Sequence, residues 1–172
     1  FSEDEFMRSK AADLSDKLFD DALEHYREKS RIIGEKTMPV IKSVYERQTR
    51  FENIAIPITD GRRGRNIIVN LKRAVEKGAR ELTLSIEKSI TLALIDEAWK
   101  EHLRELDDLK ESVQTATYEQ KDPLVIYKLE SFNLFRNMVE KINEDVISFL
   151  MLADIPMQEA EDVREHRAQG ID

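Results

Sequence analysis

The sequence predicts a mainly α fold: a long antiparallel helical hairpin plus additional helices, with a small β-hairpin inserted between them. Three observations point there. Only four prolines and five glycines interrupt 172 residues, which leaves room for long helices. Apolar residues recur three or four apart on both sides of a polar break at SVQTATYEQKDP, residues 112–123. A single region, 51–71, is instead rich in β-branched residues.

Taken in order, Ser2 followed by Glu5 reads as a capping box. Leu14, Leu18, Ala22, Leu23 and Tyr26 then recur at helical spacing and predict helix from residue 3 to about 33, with room for one break within it. Gly34 and Pro39 bracket a predicted interruption, after which Val40, Ile41, Val44 and Tyr45 carry a second helix to about Arg50. FENIAIPIT and RNIIVNL follow as two strands joined by DGRRGR, whose glycines suit the positive φ values of hairpin loops. Pro57 cannot donate to a ladder, so its strand is expected at an edge.

Residues 62–80 hold Arg62, Arg63, Arg65, Lys72, Arg73, Lys77 and Arg80 against one acid, Glu76. The first five form a candidate anion patch. With no interleaved aromatics to stack on bases, the expected reading is a solvated loop and helix face.

From Glu81 onward, Leu92, Ile95, Trp99, Leu103, Leu106, Leu109 and Val113 make one stripe on a helix of about 30 residues, roughly 45 Å long. Asp122 is a good N-cap and Pro123 a good first helical residue. Val125, Leu129, Phe132, Phe135, Val139, Ile142, Val146 and Phe149 make a matching stripe. Two such helices with a short connection run antiparallel and bury their stripes together or against a third element. Beyond Pro156 the charged tail reads as a frayed helix or linker.

Chemistry is constrained mostly by what the sequence lacks. Net charge is −8, from 35 acidic and 27 basic residues, which argues against a chain built to grip nucleic acid. There is no cysteine, hence no disulfide or thiolate metal site. No GxxxxGK[ST] or GxGxxG loop is present to cradle phosphates. The three histidines, His25, His102 and His166, follow Ala22, Trp99 and Val163 at the position where a helical di-metal site needs Glu. No catalytic residue, metal or cofactor is therefore expected in this chain. The longest apolar runs, such as VISFLML, are far shorter than the roughly 18 residues of a membrane span. The start at Phe1, without a secretory leader, leads us to expect a piece of a larger protein.

Two aromatics stand out. Trp99 on its stripe reads either as core packing or as a contact with a neighbouring domain. Tyr118, between the two helices, either folds back to cap them or projects from the tip.

The run from Ile95 to Leu150, with WKEHL, Y-x-QKDP and Y-K-x-E-S-F in combination, resembles the helical scaffold of the SecA family of bacterial preprotein-translocating ATPases. Upstream, DALEHYREKSRIIG resembles the last part of that family's helical wing. The resemblance implies a division into wing (1–50), an inserted hairpin and basic segment (51–80) that departs from the common pattern, a two-helix finger (81–153) and a linker (154–172). It implies that Tyr118, with Ala116, Thr117 and Glu119, forms a tip contacting the moving polypeptide. Trp99, His102, Leu103, Tyr127 and Phe132 are the candidates for inter-domain or core packing.

The implied partners are the SecYEG channel, unfolded preprotein and N-terminal motor domains that bind ATP and magnesium, at a cytoplasmic, peripheral inner-membrane location. No nucleic acid is expected, and the fragment could self-associate. Two other readings are a stand-alone helical adaptor and an anion- or nucleic-acid-binding module using Arg62 to Arg80.

Overall fold

A computed structural model describes residues 3–47, 50–115 and 122–156. In chain order the elements are α1 (Glu3–Arg8), α2 (Ala11–Arg47), β1 (Asn53–Thr59), β2 (Gly64–Asn70), α3 (Leu71–Lys77), α4 (Ala79–Thr115) and α5 (Pro123–Leu152). The fold is mainly α with one inserted two-stranded antiparallel sheet.

The predicted interruption at Gly34 and Pro39 does not occur. Helix α2 runs through both, and the break falls earlier, at Ser9 and Lys10. Gly34 is needed for close approach rather than for a turn: a Cβ there would lie 2.6 Å from the Cβ of Ala79 at the start of α4. Around Pro39, burial of Thr37, Ile41 and Val44 holds the helix together despite the missing amide.

The β-hairpin follows the predicted strands. Ile54 pairs with Val69 and Ile56 with Ile67, so strict alternation turns Ile54, Ile56, Ile58, Ile67 and Val69 to one buried face. Gly61 takes φ 85 in the turn. Pro57 shares the parity of Thr59, whose amide points away from β2 toward Asp154, so the proline removes no β1–β2 bond. The basic segment after β2 is itself helical: the Asn70 side chain caps α3 by accepting from the Arg73 amide at 3.0 Å. Gly78, at φ 66, ends α3 and lets α4 start at Ala79.

Asp122 caps α5, accepting from the Leu124 amide at 2.9 Å, with Pro123 first in the helix as its sequence position predicts. Helices α4 and α5 pack antiparallel, bringing His102 beside Phe135 and the base of α4 beside the end of α5. The core lies at that base, where Ile41 and Val44 of α2, the sheet's buried face, Leu71, Leu82, Ile86, Ile90, Leu94 and the fully buried Phe149 converge.

The stripe predicted on α4 is displaced. Leu82, Ile86, Ile90 and Leu94 line the core, whereas Leu92, Ile95, Trp99 and Leu103 are exposed; only the outer part of the predicted stripe holds, with Leu106 and Leu109 half-buried and Val113 buried. On α5 the predicted stripe divides: at the base Phe149 is buried and Val146 packs against the core as expected, whereas Val125, Leu129, Phe132, Phe135 and Val139 are exposed. Each helix is apolar over two adjoining faces, and the β-hairpin with α2 covers only one of them.

Candidate functional site

The α4–α5 hairpin presents two regions that can do work: an apolar face along its length and a charged network at its base. The four expected tip residues, Ala116, Thr117, Tyr118 and Glu119, lie outside the described residues.

On the face, Trp99 is 45% exposed and Phe132 64%, with Leu103 also open and Tyr127 half-buried. Within this chain, then, Trp99 is not a core residue. Helical spacing sets Leu92, Ile95, Trp99 and Leu103 in one row beside the seam, and Phe132, Phe135 and Val139 in the facing row of α5. His102 closes the floor between them, 3% exposed, with ring centroids 5.5 Å from Trp99 and 6.0 Å from Phe135. Its Nδ1 is buried and finds no hydrogen-bond partner among the described residues. Sequence spacing singled out most of this row; what it missed is that the row faces outward.

At the base, the candidate anion patch is largely neutralised. Arg63 Nε pairs with Asp60 at 3.0 Å and Arg63 Nη1 with Asp145 of α5 at 3.2 Å. Arg65 pairs with Glu97 of α4, and Arg73 and Lys77 with the buried Glu81. Arg62 and Lys72 are exposed and separated by the length of β2. Two solvated cations so placed make a weak anion site, which disfavours the nucleic-acid reading.

Asp60 is the centre of the turn. Burial by itself would raise its pKa, but the Arg63 and Arg62 amides and the Arg63 guanidinium all donate to the carboxylate and bring it down to about 2. The Arg63 guanidinium also lies 5.6 Å over the Phe149 ring. Two backbone bonds, Thr59 N–H to Asp154 O at 3.0 Å and Asp154 N–H to Thr59 O at 2.7 Å, tie β1 to the end of α5.

From α2, Lys29 Nζ donates to the Met151 carbonyl at 2.5 Å, and partial burial lowers its pKa against the pull of Asp154. Tyr26 donates to Glu87 of α4 at 2.8 Å, and burial with that carboxylate raises the phenol's pKa. Asp145, Asp154, Lys29 and Glu87 carried no sequence signal, since each acts on a partner 61 or more residues away. No group of acidic or histidine residues able to hold a metal occurs among the described residues, and no described helix is long and apolar enough to cross a membrane.

Comparison with known proteins supplies the wider context. Residues 2–154 match the family model for the SecA wing and scaffold domain. The chain is 55% identical over 166 residues to the protein translocase subunit SecA of Phocaeicola vulgatus, an alignment covering 96% of this chain and 15% of that protein. It is 51% identical over its full length to the corresponding subunit of Bacteroides fragilis, covering 16% of it, and 46% identical over 99% of its length to that of Cytophaga hutchinsonii. The chain thus spans about 15% of the length of the curated relatives it matches. No solved structure matches it significantly. A match from Ser2 to Asp154, together with half-identity to several translocase subunits across nearly the whole chain, establishes that this chain belongs to the SecA wing and scaffold domain family.

Proposed function

We propose that this chain is the wing and scaffold region of a protein translocase ATPase, and that its α4–α5 finger couples a motor elsewhere in the protein to movement of unfolded preprotein through the SecYEG channel. The observation that carries the reading is the finger's build. Two helices of 37 and 30 residues, on the order of 55 and 45 Å long, pack along one another and are anchored at one end only. Such a pair transmits displacement to its far end without absorbing it.

The far end is residues 116–121, where the family resemblance puts Tyr118 as the contact with the polypeptide. A chain of arbitrary sequence calls for a tolerant contact, and an aromatic face with one hydroxyl meets apolar groups and amides alike. The exposed face around Trp99, Phe132 and Phe135 is read as a seat for the remainder of the translocase, which carries ATP and magnesium. The protein is then peripheral at the cytoplasmic side of the inner membrane, and this region has no catalytic residue of its own.

Tyr118→Ala in the full-length protein tests the reading. Preprotein transport should fall by about tenfold or more while hydrolysis without substrate persists, and Tyr118→Phe should retain most transport. Normal transport by the alanine variant, measured with protected-preprotein accumulation in vesicles, would remove the tip from the mechanism.

A further inference from the structure

We propose that the β1–β2 hairpin is a strap that ties the two finger helices, α4 and α5, to one another and fixes the angle between them. The proposal rests on the lever reading above and gives the inserted hairpin a task. Its buried face would be enough if it merely filled the core. The hairpin does more: from the turn Arg63 reaches Asp145 on α5 at 3.2 Å, and from β2 Arg65 reaches Glu97 on α4 at 2.5 Å. One arginine of the hairpin thus engages each helix of the finger.

Arg63 is held for this task. Its Nε is fixed on Asp60, whose carboxylate is in turn gripped by two turn amides at 2.9 and 2.6 Å, which aims the outer end of the guanidinium at Asp145, reached through Nη1. At the same end of the hairpin, where β1 runs into the turn, the paired Thr59–Asp154 backbone bonds clamp the chain just past α5. Sliding α4 against α5, or splaying the two apart, breaks one of these links.

The arginine pairs are partly solvent-exposed, and exposed pairs contribute little to stability. The strap therefore predicts an effect on geometry with little effect on folding. A filler predicts no change in geometry.

The test uses the full-length protein, free of other cysteines, with spin labels at the exposed Lys110 on α4 and Lys141 on α5. Glu97→Gln with Asp145→Asn removes both pairs from the helix side and leaves the strap intact. The distance distribution should broaden about twofold, transport per ATP should fall about threefold or more, and the melting midpoint should move by no more than roughly 2 °C. Arg65→Glu should broaden the distribution too, and adding Glu97→Arg should narrow it again.

An unchanged width in the first variant overturns the strap, as does a swap no narrower than Arg65→Glu alone, or a broad distribution with transport per ATP intact. Failure of the Gln/Asn variant to fold also counts against it, because the pairs would then be structural. The distance readout needs no transport, so a failed strap and a failed tip contact at Tyr118 are told apart.

Discussion

Asp60 is almost fully buried at the hairpin turn yet stays ionised, because three N–H groups of Arg62 and Arg63 donate to it and outweigh the loss of water. Its folded pKa of about 2 lies below its ordinary value of 3.8, so the stability it contributes is fully present above roughly pH 4 and is lost as pH falls through 2. The difference corresponds to on the order of 2 kcal/mol. Urea unfolding at a series of pH values should show that decline in the native chain, and Asp60→Asn should flatten it while lowering stability at neutral pH by a similar amount. Parallel pH curves for the two proteins would contradict this assignment. The Asp-Gly turn was legible in the sequence. The reach of Arg63 to Asp145 was not, since nothing local to either residue encodes a partner 82 positions away.

At the scale of elements, α2 and α4 meet where Gly34 abuts Ala79. Propensity alone would make Gly34→Ala stabilising by about 1 kcal/mol in a helix interior. Here the new methyl would sit 2.6 Å from a Cβ that no rotamer can move, so we expect a net loss of about 1 to 3 kcal/mol, read as a lower midpoint in thermal or urea unfolding. A stabilised variant would mean the two helices can separate freely. This position also explains a misreading: a glycine five residues before a proline looks like punctuation when only the local chain is considered. The elements themselves were legible wherever local chemistry decides them, as at the Asp122-Pro123 start of α5, the alternating strands and the Asp-Gly turn. Which of two apolar faces on α4 becomes core was not, because that depends on where the β-hairpin lies down.

For the whole molecule, the displaced stripe is the informative outcome. Leu92, Ile95, Trp99 and Leu103 with Phe132, Phe135 and Val139 make an apolar strip far larger than scattered surface residues account for. The buried His102 in its floor leaves Nδ1 unpartnered among the described residues, a condition that costs about 1 to 3 kcal/mol unless something outside this chain satisfies it. Both features fit the proposed seat for the remainder of the protein, since the chain spans about 15% of its relatives' length.

Trp99 then behaves differently in two settings. In this chain alone, where the indole is half-open, Trp99→Ala should cost less than about 1.5 kcal/mol, well short of the 3 to 5 kcal/mol of a packed core site. In the full-length protein the same change should open the face, and hydrogen exchange across residues 92–106 should accelerate by about tenfold or more while α2 and the β-hairpin exchange as before. Equal exchange in the two full-length proteins would show that the face stays open to solvent in the assembled translocase. A cost of core size in the isolated chain would show instead that Trp99 is already covered by the chain itself.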